Sequence, residues 1–217
     1  MPGVMNRLSQ RSLSGMCIWS IPPRCGGLAT AAILVLVETF LFALQRPNYS
    51  HITDTISELG ETGAPHAHLV AFGFFLPVGL LVWLSLWLVW CESSDKYASL
   101  ALVALSSSGA GYVVAAFFPC DSGAPLYGSW RTQVHNVVGF IDYEGTGIGF
   151  LIISHYFARL GRTFLKVAFW AAGALVLLCL VLLSLEAAVH IRGAVQRVVE
   201  AIQFMGVFFV CFFLPNK

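Results

Sequence analysis

Pro47-Asn-Tyr-Ser-His-Ile-Thr-Asp-Thr-Ile-Ser-Glu-Leu-Gly60 is a polar island in an otherwise apolar chain. Continued through Glu61 to His66-Ala-His68, it holds three of the six histidines and three of the eleven acids. Read as a short helix over 52–59, it puts Ile52, Ile56 and Leu59 on one stripe and His51, Asp54, Ser57 and Glu58 on the other side. A helix with opposed faces is expected to lie flat at an interface, with Thr53 or Asp54 capping its start and Gly60 closing it in the left-handed region. The alternative is a plain solvated loop, which has no reason to sort apolar from ionisable residues by helical face.

On both sides of the island the chain is too apolar for water. Of its 217 residues 58% are hydrophobic and 11% charged, and the mean hydropathy is +0.79. Six apolar runs, about 26–44, 69–90, 97–118, 134–158, 164–186 and 195–214, each approach the roughly 20 residues that a helix needs to cross a bilayer core. In lipid only closed hydrogen-bonding structures survive, and runs this long mean helices rather than barrel strands. The sequence therefore predicts an all-α membrane bundle of six transmembrane helices over 26–217, preceded by a cytoplasmic tail over 1–25. Arg7, Arg11, Arg24, Lys96, Arg159, Arg162, Lys166 and Lys217 fall on one side of that topology, against Arg46, Arg131, Arg192 and Arg197 on the other. The positive-inside rule then places both termini in the cytoplasm of a cell membrane and the polar island outside.

A net charge of +1 gives no footing for nucleic acid, and no phosphate loop or dinucleotide fingerprint is present. The cysteines Cys17, Cys25, Cys91, Cys120, Cys179 and Cys211 are scattered and imply no disulfide framework. The first 25 residues lack signal-peptide architecture, and the two halves show no internal repeat of the kind inverted-repeat transporters carry.

Polar residues inside the apolar runs narrow the search for function. Glu38 stands near the middle of span one, where an acid must be neutral or partnered. Pro77 is expected to kink span two, whose Trp83, Trp87 and Trp90 mark an interface. Ser106-Ser-Ser-Gly-Ala-Gly111 lets a neighbouring helix approach span three closely. Phe118-Pro-Cys-Asp121 ends that span and leaves Asp121 at the outer boundary. In span four His135, Gly139, Asp142, Thr146 and Gly149 recur at helical spacing as one interior-facing stripe, with Asp142 about 10 Å deeper than His135. Glu144 points the other way. Span five is a packing helix, and span six carries Glu200 and Gln203.

The outward polar residues, drawn from several loops and span tops, are expected to converge. For binding the candidates are His51, Asp54, Glu58, Asn136 and Arg197, with Arg197 as a cationic clamp on a lipid head group or small anion. For catalysis they are His135 as general base, Asp142 below it, Asp121, and Ser57 or a water as nucleophile in a lipid hydrolase or acyltransferase. A proton-coupled small-solute carrier is a second alternative. His66, His68 and His135 with a carboxylate offer a weak metal set, and His135 with His155 a poorer haem pair. No cofactor motif is present, and the expected partner is membrane lipid.

Pro47-x-Tyr-Ser, Ile56-Ser-x-Leu-Gly60, Phe118-Pro-x-Asp121, His135-Asn136 and Gly193-x-x-Gln-Arg197 resemble the pattern of an uncharacterised prokaryotic six-span membrane family, domain of unknown function 998. The resemblance extends over almost all of the chain after residue 26. More distantly the chain is similar to the autophagy-modulator and glycolipid-anchor-remodelling membrane proteins, through an Ile-Ser-x-x-Gly-like first outer loop. The resemblance implies a six-helix fold and a working role for the motif, and it names no reaction. Relatives begin span two with an Asn-containing segment where this chain has His66-Ala-His68, so neither histidine is implied as a family feature.

Overall fold

The computed structural model describes residues 22–214. Arg7, Arg11, Cys17, Lys217 and most of the expected tail lie outside the described residues. Six helices are long and apolar enough to cross a membrane: α1 Pro23–Ala43, α2 Ala67–Glu92, α3 Lys96–Phe117, α4 Trp130–Arg159, α5 Thr163–Leu183 and α6 Arg192–Phe213, the last preceded by a 3-10 turn at Glu186–Ile191. The chain is a multi-pass membrane protein. Its exterior fits that reading, since Leu36, Phe40, Leu84, Trp87, Phe164 and Trp170 are all exposed.

Helix ends follow local chemistry. Proline at the first position starts α1. Arg24 and Cys25, expected in the tail, therefore stand buried in the first helical turn. There Arg24 donates to Glu92 of α2 at 2.5 Å and to the Cys211 carbonyl at 2.7 Å. Asp95 caps α3 by accepting from the amides of Tyr97 and Ala98. Ser129 does the same for α4 through Thr132. In α2 the strain expected of Pro77 is taken up one turn earlier, in a π-helical stretch at Ala71–Phe75.

Association of helices in lipid depends on close packing, because lipid tails are as apolar as leucine. Small residues supply it here. A Cβ on Gly79 of α2 would fall 2.6 Å from the Gly109 carbonyl of α3. Gly145 and Gly149 of α4 lie against the Ala104 and Ala101 carbonyls of α3, and Gly147 of α4 lies against Gly173 of α5. At the end of the bundle away from residues 47–66, the interior is filled by Phe150, Phe157 and Phe169, the last two stacked with centroids 5.6 Å apart. The end beneath residues 47–66 is filled differently and contains a cavity.

The cover over that end departs from the expected helix. Residues 51–54 form a turn, and the only helical piece among 47–66 is one 3-10 turn, Ser57–Gly60. Side chains have taken the backbone groups a longer helix would use. Asp54 accepts from the Ser50 amide at 2.8 Å and Glu58 accepts from the Thr55 amide at 2.8 Å. Gln196 takes the Ile56 amide at 2.6 Å, and the Ile52 carbonyl accepts from Ala194. The faces also differ from expectation: Ile56 and Leu59 are buried, but so is Glu58, while Ile52 is exposed. Gly60 lies inside the turn, and the positive φ values of the segment are at Asn48, Gly63 and His66.

Candidate functional site

Two arginines hold the cover down. Arg197 donates to the carbonyls of His51 and Asp54, both at 2.9 Å, to that of Gly193 at 2.8 Å, and to the Tyr49 hydroxyl at 2.7 Å. Arg46 donates to the Glu58 carbonyl and to the Glu61 carboxylate. Glu61 also accepts from Ser122 and from the Gly123 amide, so the first and third loops of the structure are joined through one buried acid. Burial raises the Tyr49 phenol to about 12, against the opposing pull of Arg197. His51 is held below its ordinary value by burial and by Arg197, and its ring packs against Tyr49 and Phe40. Cys120 sits under the cover with its thiol pushed up to about 12 by burial and by Glu61 and Glu58, which leaves it an inert, protonated thiol.

Beneath the cover lies a cavity of about 370 Å³, within the roughly 300–1,000 Å³ range of small-ligand sites. Its mouth is formed by Thr55, Ser57, Ala124 and Arg192, its sides by His135, Asn136 and Phe140, and its floor by Tyr112, Asp142, Tyr143 and Glu200. The floor is a network. Glu200 accepts from Tyr112 and from Tyr143, each at 2.8 Å. Gln196 donates to the Tyr143 hydroxyl at 3.3 Å while its carbonyl holds the Ile56 amide, so a single side chain connects cover and floor. Thr146 donates to Gln203 at 3.1 Å. Asp142 Oδ1, Gln203 Nε2 and both oxygens of Glu38, which is on α1 behind the floor, are buried with no partner.

Of the residues singled out in the sequence, Ser57, His135, Asn136 and Asp142 come to this cavity, while His51, Asp54, Glu58, Asp121 and Arg197 do not line it. His135 Nδ1 lies 2.9 Å from the Phe118 carbonyl. A carbonyl only accepts, so Nδ1 carries the proton and Nε2 is left as the basic nitrogen. Asn136 donates to the carbonyls of Pro125 and Leu126 and so fixes the loop at the mouth. Asp121 accepts from the Ser129 amide and hydroxyl, which hold its carboxyl below the usual range. Arg197 pairs with no carboxylate; its bonded donors go to the His51 and Asp54 carbonyls, the Gly193 carbonyl and the Tyr49 hydroxyl, and its Nε is buried without a partner. Glu144 is exposed on the lipid side of α4. Among the described residues no three His, Cys, Asp or Glu side chains are grouped as a metal ion would require. His66 and His68 pack instead on Phe42 and Phe72.

With the fold and the cavity in view, comparison with known families gives one match. The chain belongs to DUF998. That family, described as a protein of unknown function, matches residues 28–212. No curated protein and no solved structure matches the chain. The DUF998 match takes in every cavity residue named above. Sequence reasoning passed over Tyr112 and Tyr143, and noted Arg192, Gln196 and Glu200 without assigning them to the site. The signal for the three α6 positions was present, since Arg192, Gln196 and Glu200, continued by Gln203, follow helical spacing and form one polar stripe in an apolar span.

Proposed function

We propose that this DUF998 protein binds a zwitterionic head group, of the phosphoethanolamine type, in a cavity that opens to the outer face of the membrane. The observation that carries the reading is the opposite sign of the two ends of one cavity. Arg192 stands at the mouth with one donor on the Ala124 carbonyl at 2.6 Å and a buried Nε without a partner. Asp142 and Glu200 stand at the floor, and Asp142 has an unspent acceptor. A phosphate pairs well with a guanidinium and an ammonium with a carboxylate, so a ligand carrying both charges satisfies both ends. An anion alone would meet only the arginine end. The outward orientation is supported by the bias of Lys and Arg to the other side. A hydrolase or acyltransferase reading is less well supported, because Ser57 and His135 line the same cavity without hydrogen-bonding to each other.

Calorimetry on the full chain in phosphatidylglycerol nanodiscs tests this. Free phosphoethanolamine is expected to bind, with glycerol phosphate and ethanolamine each at least tenfold weaker. Phosphatidylethanolamine added to the nanodisc competes with free phosphoethanolamine if the source is lipid, and leaves its binding unchanged if the source is a free solute. Glycerol phosphate binding as tightly as phosphoethanolamine would overturn the zwitterion reading.

A further inference from the structure

Three carboxyl groups from three helices, Glu38 of α1, Asp142 of α4 and Glu200 of α6, gather at one level of the bundle, and they are not equivalent. Glu200 is the best supplied with donors, two tyrosine hydroxyls bonding to it. Glu38 is 0% exposed and neither of its oxygens meets a donor. Asp142 is 4% exposed and borders the cavity; its Oδ1 forms no hydrogen bond, although the side chains of Gln203 and Thr146 stand beside the carboxyl. A bare carboxylate sealed from water with no donor is among the least tolerable groups in an apolar interior, whereas the neutral acid is tolerated.

No cation relieves the cluster from nearby. The titratable groups facing it are Tyr112 from α3, and His135 and Tyr143 from α4; α2 and α5 present Phe75, Leu180 and Leu183 to the cavity. Arg197, one turn up α6 from Glu200, turns its guanidinium to the cover, and Arg192 lies about 12 Å up, eight residues at ~1.5 Å each. The three acids are not grouped tightly enough for a metal ion.

We propose that the floor is a proton site. In the ligand-free protein Glu38 and Asp142 are neutral acids and Glu200 is charged; Asp142, open to the cavity, exchanges its proton with water, while Glu38, sealed behind it, keeps its own. Resting on the zwitterion reading, the seating of an ammonium group discharges Asp142. The O–H bond of its carboxyl breaks, the proton leaves through the cavity to water, and the ammonium takes its place, so the floor's net charge is unchanged. Binding at this cavity is thus cation-for-proton exchange.

Infrared spectroscopy of the full chain in nanodiscs, without ligand, reads the proton site directly. Two protonated-carboxyl stretches are expected at neutral pH. One shifts promptly in deuterated water, fades as pH rises and is missing in Asp142→Asn; the other exchanges slowly and is missing in Glu38→Gln. Phosphoethanolamine should then release about one proton per molecule bound, and its affinity should rise about tenfold per pH unit while Asp142 remains loaded, as linkage requires. The absence of any protonated-carboxyl stretch, or a spectrum that neither variant changes, overturns the proposal. Binding without proton release overturns the exchange. Stretches that behave as described in a protein that does not bind phosphoethanolamine support the proton site and refute the zwitterion reading instead.

Discussion

The clasp at the cover and the floor of the cavity are built from the same kinds of side chain with opposite results. At the clasp, Arg197 gives four hydrogen bonds, three of them to residues 49–54 of the cover and one to Gly193 of its own helix, and Glu61 takes three. At the floor, Glu38, Asp142 and Gln203 are buried and retain atoms with no partner, Glu38 both its oxygens, whereas Arg197 leaves only its Nε unspent. A satisfied buried polar group fixes structure, and an unsatisfied one is a cost that folding alone does not explain. The difference separates residues that position the site from residues free to meet a ligand.

The largest expected effect tests the clasp. Arg197→Ala removes a charged donor from three carbonyls and a hydroxyl, and is expected to cost roughly 3 kcal/mol, since hydrogen bonds to charged groups are the expensive ones to lose. Thermal unfolding in detergent should show a clear fall in midpoint, with phosphoethanolamine binding lost as the cover comes free. An unchanged midpoint would break the comparison at its first term.

Gly111→Ala addresses the floor from the other side. A Cβ there would collide with the Asp142 carboxylate. The expected stability cost is smaller, roughly 1–3 kcal/mol for an overpacked site, but phosphoethanolamine affinity should fall by more than the stability loss accounts for. If binding survives with Asp142 displaced, the floor is not where the ligand's cation sits.

The smallest effect sharpens the clasp side by pH. The carboxyl of Asp121 is held below its ordinary value of 3.8 by the Ser129 amide and hydroxyl. A depressed carboxyl contributes stability above its unfolded value and loses it as pH falls through the folded one. The midpoint difference between Asp121→Asn and the parent should therefore be present at neutral pH and shrink below about pH 3.8. A difference that grows on acidification would mean that Asp121 is not tied to Ser129 in solution.

How far the sequence could be read follows the same division. The six spans were legible because bilayer thickness sets the length of an apolar run, and the helices begin and end within a few residues of those runs. The interior stripe of α4 was legible because Asp142, Thr146 and Gly149 repeat at helical spacing, and all three are buried. The conformation of the cover was not, since Gln196 and Arg197 set it from 140 or more residues away. Propensity and capping rules have no access to such partners. Glu200 was legible only as an acid within span six, because its partners, Tyr112 and Tyr143, come from other helices.

The glycine seams on both flanks of α4 carry a mechanical consequence. With Gly145 and Gly149 pressed on α3 and Gly147 pressed on α5, these three helices make a slab whose members have little slack to slide past one another. At the cavity α6 meets that slab through polar hinges, Glu200 on Tyr112 and Tyr143 and Gln196 on Tyr143, and the same helix anchors the cover through Arg197 and Gln196. Cover and floor therefore meet on one helix that hydrogen bonds stitch to a rigid plate.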